Sequence, residues 1–126
     1  MEHPIVEKIM KDGISSVNLS MLNETARKNI LADVAEKLFK QGRFADSIGI
    51  MKIMGDNEKL LSIGDNFLSE GKAELATMFF IPTKDKQRLN NAAVLCIKSK
   101  NYALAAQAYE ASDNSQMAQF IKENFA

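Results

Sequence analysis

The chain has 126 residues, of which 46% are hydrophobic and 25% charged, and its sixteen Lys and Arg balance sixteen Asp and Glu. That size suits one ordinary domain with a real core, and the neutral balance removes the global attraction to nucleic acid or anionic lipid that a strongly basic protein has. A single cysteine, Cys96, excludes an intramolecular disulfide and a cysteine-rich zinc site.

The chain begins Met-Glu-His-Pro, without a basic region leading into an apolar run, so no secretory signal is expected. The longest stretch free of charge is Gly13 to Asn23, eleven residues. A bilayer span needs about 20 apolar residues, so no membrane span is expected. A cytoplasmic location fits both readings.

From there the chain is organised by a 29-residue repeat. Its first copy, about 2–30, carries Ile5, Val6, Ile9 and Met10 ahead of Gly13. Its second helix should occupy about 16–26, but Ser15, Ser16, Asn18, Ser20 and Asn23 dilute the pattern. The alternative is one longer helix running from Ser20, as N-cap, through Gln41.

The second copy, 31–59, is clearer. Leu31, Val34, Ala35, Leu38 and Phe39 stand at i, i+3, i+4, i+7 and i+8, one face of an α-helix. After Gly42 a second helix carries Phe44, Ser47, Ile48 and Met51. Gly55-Asp56-Asn57 marks the turn, with Asp56 as the expected N-cap of the next helix.

The third copy, 60–88, repeats this with Leu60, Ile63, Gly64, Phe67 and Leu68, then Gly71, then Ala73, Ala76, Thr77 and Phe80. Pro82 ends that helix. Gly42 and Gly71 suit the left-handed residue that closes a helix before a tight turn. In Met78-Phe79-Phe80-Ile81, the apolar Ile81 takes the place of Lys52 and Glu110 in neighbouring copies. It marks either a contact with another chain or a cover for the Pro82 turn.

The fourth copy, 89–117, has Leu89, Ala92, Ala93, Cys96 and Ile97, then Tyr102, Ala105, Ala106 and Tyr109. Asp113-Asn114 is its closing turn, and Ser115 the expected N-cap of the last helix. That terminal helix, 118–126, keeps Ala118, Ile121 and Phe125 on the pattern, while Lys122 breaks it. The pattern predicts no strands.

The recurring frame is a small residue, Gly seven later, an aromatic two further, a small residue three further, and an aromatic four further. It reads Ala35, Gly42, Phe44, Ser47, Met51, then Gly64, Gly71, Ala73, Ala76, Phe80, then Ala93, Lys100, Tyr102, Ala105, Tyr109. This resembles the tetratricopeptide repeat and its degenerate relatives. The usual period there is about 34 residues, so these copies are short. Ala106 to Asn114 is similar to helical repeats of vesicle-coat and intraflagellar-transport subunits.

The resemblance implies an all-α, right-handed solenoid of about four antiparallel helix pairs with a C-terminal capping helix. It also implies a non-catalytic scaffold that binds a protein or peptide. A helix pair of this length cannot bury its own apolar face, so stacking of copies is expected on physical grounds as well. The family's carboxylate-clamp arrangement of Lys, Asn and Arg has no counterpart here.

First helices of such a stack line the concave side, so their off-comb positions are the candidate partner surface. These are Lys37, Lys40, Asn66, Asn91, Val94, Leu95 and Lys98, with Asn66 and Asn91 as backbone-reading amides and Val94 and Leu95 as an apolar break. Alternatively, Val94 and Leu95 pack on the terminal helix. Residues 84–100 hold Lys84, Lys86, Arg88, Lys98 and Lys100 against Asp85 alone. A nucleic-acid reading through Lys84, Lys86 and Arg88 is therefore the second hypothesis, although the interleaved aromatics that RNA binding wants are missing. Self-association through the incomplete terminal repeat is the third.

Chemistry is not expected. The only histidine, His3, lies near the N-terminus, Cys96 falls on a buried comb, and phosphate-loop, zinc-protease and calcium-loop motifs are absent. No cofactor and no metal are expected.

Overall fold

The computed structural model describes residues 3–125; Met1, Glu2 and Ala126, at the ends of the first copy and of the terminal helix, lie outside them. The described residues contain eight α-helices and two short 3-10 turns, and no strands. The helices are α1 (Pro4–Asp12), α2 (Glu24–Lys40), α3 (Phe44–Met54), α4 (Asn57–Ser69), α5 (Ala73–Phe80), α6 (Lys86–Lys98), α7 (Tyr102–Ala111) and α8 (Ser115–Phe125). They fall into two compact units, 1–56 and 57–126.

The 29-residue period is written into the backbone. Helices α3, α5 and α7 begin at Phe44, Ala73 and Tyr102, and α4, α6 and α8 begin at Asn57, Lys86 and Ser115, each 29 residues after the last. Every positive-φ residue among those described falls on one of two 29-residue series: Gly13, Gly42, Gly71 and Lys100, or Gly55, Lys84 and Asp113. At the ends of α2, α4 and α6 the amide three residues past the helix reaches back to the equivalent carbonyl: Arg43 to Leu38 at 2.9 Å, Lys72 to Phe67 at 2.9 Å and Asn101 to Cys96 at 2.8 Å. This is the closing bond of a left-handed helix stop. Lys100 and Asp113 hold it without glycine.

In the first unit, α1 packs on α2 and α2 on α3. Val6 and Ile9 from α1, Leu31, Val34, Ala35 and Leu38 from α2, and Ser47, Ile50 and Met51 from α3 are buried. The Ser47 hydroxyl donates to the Ala35 carbonyl at 2.8 Å, so the small residues at both sites let the helices touch. His3 caps α1, its Nδ1 accepting from the Ile5 amide at 3.1 Å, and Pro4 takes the first helical position, where a missing N–H costs nothing.

The expected second helix of the first copy, over 16–26, does not form. Ser16 donates to the Gly13 carbonyl at 2.6 Å, and Asn18 Oδ1 accepts from both the amide and the hydroxyl of Ser20. Local side-chain bonds of this kind compete with helical ones. The next helix starts at Glu24, capped by Asn23 rather than Ser20, with the Ala26 amide 2.8 Å from Asn23 Oδ1.

In the second unit α4 packs on α5, α5 on α6, α6 on α7 and α7 on α8, and α7 also touches α5. Its core includes Leu60, Phe67, Phe79, Phe80, Leu89, Ala92, Ala93, Cys96, Ala105, Ala108 and Tyr109. Phe67 and Phe79 meet with ring centroids 5.5 Å apart. Ser112 hydrogen-bonds Asn90 Oδ1 at 3.0 Å, fastening the end of α7 to α6. The Pro82 segment is a 3-10 turn, Ile81–Thr83, held by Thr83 Oγ1 donating to the Phe80 carbonyl. Ser115 proves to be the first residue of α8, not its cap; Asn114 Oδ1 accepts from the Met117 amide at 3.4 Å. No described helix is long and apolar enough to cross a membrane.

Candidate functional site

None of the seven candidate surface residues is fully buried: Lys37 and Leu95 are half-buried and the other five exposed. In the first unit, Lys37 pairs with Asp33 at 3.4 Å and Lys40 with Glu36 at 2.9 Å. Each acid stands four residues before its base, the favourable order on a helix, so this face of α2 carries paired charge.

In the second unit Asn66 lies exposed on α4, and Asn91, Val94 and Lys98 lie exposed on α6, while Leu95 is half-buried. Val94 keeps 45% of its surface open to solvent, so the alternative in which it is packed away does not hold for it. An exposed β-branched side chain between an amide and an ammonium, on one face of a rigid helix, offers an apolar contact with polar groups on either side. No carboxylate stands within ion-pair distance of Lys98 among the described residues.

The basic segment is less free than its sequence suggests. The Arg88 guanidinium donates to both oxygens of Asp65 on α4, each at 2.8 Å, and to Asp85 at 2.9 Å. Asp85 in turn caps α6 by accepting from the Arg88 amide at 3.0 Å. The hydrogen bonds and charge of Arg88 hold the Asp65 carboxyl below the usual carboxylate range despite some desolvation. Arg88 is pushed still further toward its charged form, mainly by the Asp65 hydrogen bond. It is a strap between α4 and α6. Lys86 approaches Asp113 at 3.9 Å, and Lys84 is the exposed left-handed residue of the inter-helix turn.

Cys96 is fully buried, 3.4 Å from the Thr77 hydroxyl, and burial pushes its thiol pKa up. Such a thiol is inert toward substrates. No group of three side chains suited to a metal ion occurs among the described residues.

The incomplete terminal repeat, expected at most to support self-association, carries a groove that the sequence reading did not describe. Between α7 and α8 lies an open groove of about 600 Å³, lined by Tyr102, Ala106, Gln107, Ile121, Lys122 and Phe125 among others. Tyr102 and Phe125 stack at 4.6 Å with an interplanar angle of 15°, and Lys122 pairs with Glu110. Phe125 stood on the apolar comb, which predicted burial; 43% of it is exposed. In the sequence this end showed only as an incomplete terminal repeat in which Lys122 breaks the comb.

No protein-family model, curated protein or solved structure matches the chain.

Proposed function

We propose that the chain is a non-catalytic protein-interaction module, built as a short-period, tetratricopeptide-like solenoid. Its first helices present a concave surface to a peptide or partner helix. The observation that carries this reading is Val94, solvent-exposed on α6 with Asn91 and Lys98 on the same face. An apolar residue in that setting gains by burial against a partner, roughly 1.5 kcal/mol or more when complete, while the flanking amide and ammonium give direction. The 29-residue recurrence of helix starts and left-handed stops supports the repeat architecture on which the reading depends. A cytoplasmic setting is part of the proposal, and the one buried thiol is compatible with it.

The nucleic-acid alternative is weakened by Arg88, whose guanidinium is committed to Asp65 and Asp85. The test is substitution at the face. Val94→Glu and Lys98→Glu leave the core untouched, so they should preserve the helical circular dichroism and melting temperature while abolishing capture of a partner that the wild-type chain retains. Partner retention unchanged in both variants contradicts the proposal.

A further inference from the structure

The α6 face differs from the equivalent face of α2 by the loss of two carboxylates. On α2, Lys37 pairs with Asp33 at 3.4 Å and Lys40 with Glu36 at 2.9 Å. Two 29-residue steps on, the same four positions of α6 hold Asn91, Val94, Leu95 and Lys98. The first pair has become an exposed amide and a half-buried leucine. In the second the acid has become Val94, 45% exposed, and the base has been kept.

Lys98 is the one charge left on these positions, and no carboxylate of the described residues lies within ion-pair distance of it. Helix α4 offers none. Its Asp65 holds the place of Glu36 and Val94 in the repeat, and Arg88 donates to both its oxygens at 2.8 Å. A helix C-terminus favours a cation, but Lys40 ends α2 just as Lys98 ends α6, and Lys40 is paired. The dipole therefore accounts for the lysine and not for the loss of its acid.

What stands on α6 is an apolar side chain one helical turn from an unmatched ammonium, about 6 Å along the axis. A partner that covers Val94 gains from its burial and strips water from Lys98 beside it. That desolvation is costly unless the partner brings a negative charge. A nucleic acid would bring the charge, but its bases stack on aromatic faces, and Asn91, Val94, Leu95 and Lys98 include none.

We propose that the α6 face binds an acidic peptide segment of another protein, in which an Asp or Glu stands beside an aliphatic or Met side chain. The carboxylate pairs with Lys98 in place of the acid that position 94 lacks, and the apolar side chain sits on Val94 and Leu95. This rests on α6 being the partner surface and adds the charge that the partner carries.

A random peptide display library selected on the chain tests it. Enriched peptides should carry Asp or Glu within about two residues of an apolar residue, since neighbours on one face of an extended chain are about 7 Å apart. Their amide shifts should map to α6. Synthesised with Asn or Gln for the acid, the same peptides should bind at least about tenfold more weakly in fluorescence polarisation, the scale of a hydrogen bond to a charged group. Lys98→Gln should weaken the acidic form alike and leave the amide form unchanged. Val94→Glu should also release the acidic form, because it restores the Glu36–Lys40 arrangement on α6. Lys98→Glu should enrich basic peptides instead. Peptides that shift α6 yet bind equally with amide for acid, or that ignore Lys98→Gln, would overturn this inference and leave α6 the partner surface. Shifts confined to other helices, or no enrichment, would overturn both. Tighter binding of a poly(U) oligonucleotide with shifts on α6 would overturn it in favour of nucleic acid.

Discussion

Phe80 lies directly over Gly64: a Cβ at position 64 would stand 2.3 Å from Cε1 of its ring. Phe80 is itself fully buried, so it has no open space to swing into. Helix α4 therefore carries a glycine mid-helix because α5 approaches it there. An exposed glycine in a helix interior normally loses about 1 kcal/mol relative to alanine, so Gly→Ala ordinarily stabilises. Here the sign reverses. Gly64→Ala should destabilise by about 1–3 kcal/mol through overpacking, read from urea midpoints, and Gly64→Ala with Phe80→Leu should recover part of the loss. Stabilisation by the single variant would contradict this packing.

The left-handed stops make a second expectation. Lys84, Lys100 and Asp113 hold φ of 60°, 65° and 61° with side chains attached, a conformation that costs about 1–2 kcal/mol per non-glycine residue. Glycine relieves that cost but adds backbone entropy to the unfolded chain. Lys100→Gly and Asp113→Gly should each stabilise by about 0.5–1 kcal/mol. Gly42→Ala should destabilise by about 1 kcal/mol. Thermal melts of the three variants check the series together.

Asp65 and Arg88 predict a pH effect of definite sign. The folded-state pKa of Asp65 is lowered, so its contribution is present above the unfolded carboxylate value of about 3.9. It fades as pH falls through the lower folded value. Both side chains are more than a third exposed, 37% for Arg88 and 45% for Asp65, so solvent screening holds the pair to about 0.5–1 kcal/mol. Asp65→Asn should cost that much at pH 7 and less in acid, the loss shrinking as pH falls below the unfolded carboxylate value, measured by urea denaturation at pH 7 and near pH 2. An equal loss at both values would show that the aspartate acts by packing alone.

Cys96 gives a kinetic expectation. Its burial and raised pKa keep it a neutral thiol in the folded chain. Its stabilising preference for the protonated form is complete below the unfolded thiol pKa and fades as pH rises through the higher folded one. Labelling by a disulfide reagent at neutral pH should therefore be limited by opening of the second unit and should accelerate with urea. Immediate stoichiometric labelling of the native chain would contradict the burial.

Much of the helical register was legible because each stop and start has a local cause. Gly42 and Gly71 declare left-handed turns, and the i, i+3, i+4 combs lie on the buried faces of α2, α4 and α6. What was not legible has equally specific causes. Ile50, Phe79 and Ala108 form a buried 29-residue series of their own, invisible to a single-stripe reading because α3, α5 and α7 are apolar on more than one side. Counting charge placed Arg88 in a basic patch, since its partner Asp65 is 23 residues away and only folding joins them. The missing helix near 16–26 was signalled by its serines and asparagines. The repeat suggested a helix there, and local hydrogen bonds prevailed.

The surface on α6 is best tested by a photoreactive benzophenone side chain placed at position 94, with the same group at exposed Glu58 as control. Irradiated in the source cell, the position-94 protein should crosslink to one discrete protein species, and the crosslink should vanish with Lys98→Glu. The control should give none. Crosslinking at 94 that matches the Glu58 control, or that survives Lys98→Glu undiminished, would contradict the assignment of this face as the partner-binding surface.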